Sequence, residues 1–152
     1  MSKPVVEVQI RAVMPTKDGC AVFLGNKEKV FIIFVDQGMG AVITMFMRET
    51  PKERPLTHDL MANLLLAFGA KIERVIVNAI VESTYYARVI LSVENEVTSQ
   101  RKIVELDSRP SDALALSIQQ KAPIYVSREV WDEVEDMTPQ LRQMEEGGFE
   151  IE

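Results

Sequence analysis

A chain of 152 residues has room for one core, and 47% hydrophobic against 26% charged residues is a globular balance that excludes a mostly disordered polymer. The longest apolar stretch, 62–69, falls far short of the roughly 20 residues a bilayer-spanning helix needs, so no membrane partner is expected. A single cysteine, Cys20, excludes a disulfide framework and a multi-thiolate metal site, and with a start lacking a signal-peptide core it makes a cytoplasmic location the expectation.

The net charge of −6 is unevenly spread. Residues 129–152 hold nine acids and the single base Arg142, giving −8, so residues 1–128 carry +2. Affinity for nucleic acid depends on local cationic patches more than on total charge, so that partner is not excluded.

In chain order, Val6, Val8 and Ile10 alternate with Glu7, Gln9 and Arg11, the period of a strand with one buried face. Lys17-Asp18-Gly19 turns into a short strand, Cys20 to Leu24, and Gly25-Asn26-Lys27 turns again into the apolar run Val30 to Val35. This predicts a three-stranded meander. The period then changes, because Met39, Val42, Ile43, Phe46 and Met47 fall at helical spacing, and Thr50-Pro51 ends that helix. After the polar loop Lys52-Glu53-Arg54-Pro55, Thr57 is the expected N-cap of a second helix. Its buried side is predicted to be Leu60, Met61, Leu64, Leu65 and Phe68, with an end near Gly69.

Strands return from Lys71 to Val81, through the turn Glu82-Ser83-Thr84, to a strand whose Ala87, Val89, Leu91 and Val93 oppose Tyr86, Arg88 and Ser92. A further strand ends near Leu106. A helix opens at Arg109-Pro110, where proline is tolerated because the first turn lacks an N–H partner, and runs through Ile118. Pro123 to Val126 is a short extended piece, and Val130, Trp131, Val134 and Met137 predict one more amphipathic helix. The fold class is therefore α+β, a mixed, mostly antiparallel sheet with helices packed against it. One domain is expected over residues 1–137, followed by an acidic tail over 138–152.

No phosphate-binding glycine loop, nucleophile elbow or paired-histidine zinc motif is present. Two segments stand out. Arg54-Pro55-Leu56-Thr57-His58-Asp59 puts the only histidine and a carboxylate in a helix's first turn, where free N–H groups and the dipole favour an anion. Asp107-Ser108-Arg109-Pro110-Ser111-Asp112 joins a strand to a helix, and its two acids are of the type that binds a hard cation. Each segment taken alone reads more readily as a helix cap, since acids in a first turn are common for dipole reasons. The repetition of Arg-Pro followed by an acid shifts the balance: if the two helix starts lie side by side, they frame one anion- or metal-binding cleft.

These residues, with Tyr86-Ala87 and Ala122-Pro123-Ile124 in the same order, resemble the bacterial and plant bifunctional nuclease domain over about residues 5–132. The resemblance implies an α+β fold, subunit association and an activity degrading both RNA and DNA. It points to Arg54, His58, Asp59, Asp107, Arg109 and Asp112 as the shared polar set. One departure stands out. Where the family shows Trp-Ile-Gly and, three residues on, Glu, this chain has Phe34-Val35-Asp36 and then Met39. A metal-binding role for that Glu would be lost here unless Asp36 substitutes.

The resemblance, more than the chemistry of these side chains, makes a metal-dependent nuclease acting on RNA and/or DNA the expectation. His58, Asp59, Asp107 and Asp112 are its expected catalytic residues, and Arg54 and Arg109 its expected phosphate clamps. Asp59, Asp107 and Asp112 are the expected ligands of Mg²⁺ or Mn²⁺, with nucleic acid as partner and a homo-oligomer as the assembly. The alternative is a non-catalytic ligand-binding or assembly module that keeps the same fold, favoured by Met39, the acidic tail and the net charge.

Overall fold

The structure, a computed structural model, describes residues 4–147. The meander is present as β1 (Val5–Pro15), β2 (Cys20–Gly25) and β3 (Val30–Val35), followed by helices α1 (Gln37–Met47) and α2 (Thr57–Ala67). Then come β4 (Ala70–Val81), β5 (Thr84–Asn95), β6 (Gln100–Ser108), α3 (Pro110–Gln120), β7 (Ile124–Ser127), α4 (Arg128–Glu133) and α5 (Thr138–Glu146). The seven strands make one sheet in the order β3-β2-β1-β7-β4-β5-β6, antiparallel throughout except where β7 runs parallel to β4. The α+β expectation holds.

The short extended piece after Pro123 proves to be the strand that joins the two halves of the sheet. Val126 faces Val6 on one side and Val77 on the other, and Ile124 faces Val8 and Val75. All of these valines are buried, which is what a strand closed on both faces requires. β1 pairs with β7 through Val5–Val8 on one edge and with β2 from Gln9 onward on the other, with a bulge between Ile10 and Ala12 in the β2 ladder. The sheet curls: Phe31 of β3 meets Tyr85 of β5 with ring centroids 5.8 Å apart, although four strands separate them in the sheet. Trp131 of α4 packs edge-on against the same phenylalanine at 6.2 Å.

Helix α1 sets its buried Met39, Ile43 and Phe46 into the main core. Gly40 makes this approach possible, because a Cβ there would lie 2.3 Å from the Cys20 sulfur, well inside contact distance. Cys20 is buried, as expected of a small hydrophobe.

Two expectations are corrected. The apolar stripe of α2 is not buried: Leu60 is 55% exposed, Leu64 51% and Phe68 79%. The sheltered face is instead His58, Ala62 and Leu65, at i, i+4 and i+7. Polar bonds to α3, described below, hold the opposite face of the helix, and its leucines point outward. Thr57 is likewise not the N-cap. That position is Leu56, which has no side-chain acceptor.

The tail also differs from expectation as far as it is described. Residues 138–146 form α5, whose Leu141 and Met144 are buried against Ala12, Ala21, Phe23 and Val30 on the sheet face away from α1. Two such side chains contribute roughly 1.5–3 kcal/mol each by burial. The acids of that segment, Glu145 and Glu146, lie on the solvent side. Residues 148–152 lie outside the described part.

Candidate active site

The starts of α2 and α3 do lie together. His58 Nε2 is 2.8 Å from Asp112 Oδ1, joining side chains 54 positions apart in sequence, and Arg109 Nε donates to Asp112 Oδ2 at 2.9 Å. Burial pushes the Asp112 carboxyl up, but the bonds from Arg109 and His58 outweigh it and hold the group below the usual carboxylate range. Asp112 is therefore ionised and can only accept, so the proton of the His58 bond sits on Nε2. In the neutral ring Nδ1 is then the bare nitrogen, the form a general base requires. His58 is 6% exposed, and the edge of Phe46 lies against its ring at 6.4 Å, so both bonding and packing fix its orientation.

The echo between the two Arg-Pro segments is one of position rather than role. Asp59 and Asp112 are both the third residue of their helices. Asp59 does what the capping reading expects: its Oδ2 takes the Leu56 N–H at 2.8 Å, its Oδ1 takes Gln119 Nε2 at 2.9 Å, and Lys52 Nζ stands 3.5 Å away. Burial pushes the Asp59 carboxyl up, and these partners together bring it below its ordinary value. Gln119 lies seven residues along α3 from Asp112, about 10 Å of helix rise. Asp59 thus ties α2 down while Asp112 faces His58.

Of the other expected site residues, Asp107 pairs with Arg88 in the ladder and is exposed. Its neighbours Leu106 and Ser108 pair with the buried Val89 and Ala87, so the alternation of a strand puts Asp107 on the sheet face away from α3. Arg54 is exposed on the loop before α2 and joins no ion pair among the described residues. The cluster is therefore His58, Asp112 and Arg109.

It opens on a cleft of about 340 Å³ whose walls include Asp36, Met39, Leu56, Thr57, His58 and Arg109. Position 39 does face this site, with an apolar side chain. A larger hollow of about 600 Å³ beside Cys20 and Met45 is mainly apolar and has neither carboxylate nor imidazole in its walls, so the smaller cleft is the chemical one. Gln119 and Phe46 escaped the sequence reading as site residues, and Asp36 entered it only as a possible substitute for the family Glu. Gln119 was findable, since it lies two turns from Asp112 on one face of the same helix.

A divalent cation does not fit this donor set as it stands. Both oxygens of Asp112 and both of Asp59 are engaged, Asp107 is on the other sheet face, and no three His, Cys, Asp or Glu side chains among the described residues come together as a metal-holding group. Among the described residues no helix is long and apolar enough to cross a membrane.

The family described as the bifunctional nuclease domain matches residues 22–138. An uncharacterized protein of Mycobacterium tuberculosis is 30% identical over 105 residues, which cover 69% of this chain and 58% of that protein. A protein named Bifunctional nuclease 1 in Oryza sativa subsp. japonica, and another named Bifunctional nuclease in Oryza minuta, are each 22% identical over 111 residues, covering 65% of this chain and 33% of theirs. The chain spans little more than half the length of the mycobacterial relative and a third of the rice ones. With a match running from the middle of β2 to the start of α5, around the cluster just described, the chain belongs to the bifunctional nuclease domain family.

Proposed function

We propose that this chain hydrolyses phosphodiester bonds of RNA and/or DNA in the cleft between α1 and the first turns of α2 and α3. The observation that carries the reading is the His58–Asp112–Arg109 cluster, which joins a fixed proton acceptor to a cation that binds phosphate. Membership of the family and the nuclease names of the rice relatives support it. In this scheme Nδ1 of His58 takes the proton of the attacking water, and Asp112 stabilises the imidazolium that forms. The Nη groups of Arg109, which its bond to Asp112 leaves unused, hold the phosphate and offset the charge building on its oxygens. Met39, Val42 and Leu56 line the cleft with apolar surface that limits water. No step is assigned to Mg²⁺ or Mn²⁺.

The exposed side of α2 supports a homo-oligomer in addition. Residues 60–69 contain no charge, and Leu60, Met61, Leu64, Leu66 and Phe68 are all exposed, a patch of the kind that marks an interface. We place a second copy of the chain there. The competing reading, a binding or assembly module without catalysis, draws on the same patch and on a cleft whose one arginine is matched by Asp36 and Asp112.

The deciding experiment is cleavage of labelled single-stranded RNA and DNA by wild type and by His58→Ala, with Mg²⁺, with Mn²⁺ and with a chelator. Cleavage that persists in chelator and disappears in the variant is expected. Cleavage that requires the metal would overturn the scheme above, and no cleavage under any condition would leave the binding module as the better account.

A further inference from the structure

We infer, on the basis of the nuclease reading above, that Asp36 makes the cleft selective for internal phosphodiesters over terminal phosphomonoesters. Asp36 ends the β3–α1 connection and lines the cleft together with His58 and Arg109, so three separate elements place three polar groups around one space. Its position is fixed. Oδ1 accepts the Met39 N–H at 2.7 Å as the N-cap of α1, and the next two anchoring residues, Met39 and Gly40, are buried against the core. This cap bond holds the exposed carboxylate at the mouth of the cleft.

Charge then decides what the cleft accepts. The Arg109 guanidinium is matched by Asp112, to which it is bonded. Among the fixed charges of Arg109, Asp112 and Asp36, the last leaves one negative charge in excess. The field of Asp36 reaches the phosphate-binding group: after the Asp112 bond and charge, it is a further cause of the raised Arg109 pKa. An internal diester brings a single negative charge. A terminal phosphate brings nearly two at neutral pH, since its second pKa is about 6. A second phosphate charge doubles both the attraction to Arg109 and the repulsion from the two carboxylates; since Asp112 offsets Arg109, the charge of Asp36 is left over and the monoester meets roughly twice the net repulsion.

The test compares two ligands on one scaffold, a nucleoside 5′-monophosphate and its methyl ester, as competitors of a fluorescently labelled oligonucleotide bound to the full chain at pH 7.5. Wild type is expected to favour the methyl ester. Asp36→Asn and Asp36→Ser remove the charge and keep a side chain that caps a helix well, so their melting temperatures should match wild type. Both should shrink the preference about three- to tenfold, the scale of one partly screened unit charge. A preference unchanged in both folded variants would overturn the inference and leave the nuclease reading intact. Failure of wild type to bind the oligonucleotide at all would overturn both.

Discussion

Replacing Asp112 with alanine tests whether the cluster works as a unit. The carboxylate is 26% exposed and accepts from His58 through one oxygen and from the Arg109 guanidinium through the other. The Arg109 side chain is 65% exposed, so that pair contributes no more than about 1 kcal/mol. His58 is nearly buried, and its bond to a charged acceptor contributes about 1.5–3 kcal/mol, including what it costs to leave a buried N–H without a partner. The sum predicts a loss of about 2–4 kcal/mol. For a chain of this size that is a fall in melting temperature of about 4–16 °C, measurable by calorimetry. Activity should drop on the order of 10²–10⁴-fold, because Nε2 no longer has a fixed partner and the ring no longer presents one tautomer. The double variant with His58→Ala should lose no more activity than either single variant, as residues of one catalytic unit do. Losses that multiply in the double variant, or a melting temperature unchanged by Asp112→Ala, would refute the reasoning.

Three more outcomes follow from particular contacts. Asp112 and Asp59 both titrate below the ordinary carboxylate range, so their contribution to stability is full above about pH 4, the unfolded value, and is lost as pH falls through their folded values. The urea midpoint of wild type should therefore drop more steeply from pH 5 to pH 3 than that of Asp112→Ala, and parallel curves would count against it. Leu60→Glu with Leu64→Glu should leave the melting temperature nearly unchanged while converting an oligomer to monomer in sedimentation; a wild type that is monomeric at high micromolar concentration would sink the assembly proposal. Leu141→Ala empties a buried position under α5 and should cost about 2–4 kcal/mol by urea titration without altering cleavage. No loss of stability would mean that α5 is not seated on the sheet.

How far the sequence could be read depended on whether local or long-range forces decided each feature. The strands and α1 were legible because their apolar periods face a core that accepts them, as Val6, Val8, Ile43 and Phe46 show. Helix α2 was misread by the same rule. Its stripe of Leu60, Leu64 and Phe68 has the right spacing, but residues 58 and 59 bond to α3 from the opposite face, and no periodicity reports a bond across 54 or 60 positions. The site divides the same way. Each Arg-Pro segment showed a helix start, yet only the packing of α2 on α3 separates Asp112, which meets the histidine, from Asp59, which closes a cap. Asp107 was misplaced for a simpler reason: the side to which a strand residue points depends on register with β5, which its own segment does not encode.

The antiparallel pairing of β7 with β1 bears on how the protein is made. Residues 5–35 pair among themselves as a meander, but the partner that closes the β1 edge is residues 124–127, synthesised about ninety residues after β3. At typical rates of 5–20 residues per second, the nascent chain carries an open edge lined by Val6 and Val8 for roughly 5–20 seconds, long enough for a neighbouring copy to pair with it. The late arrival of β7 thus leaves β1 open to pairing between copies during synthesis, and a circular permutant that begins with α3 and β7 should accumulate in soluble form at higher expression rates than the natural order.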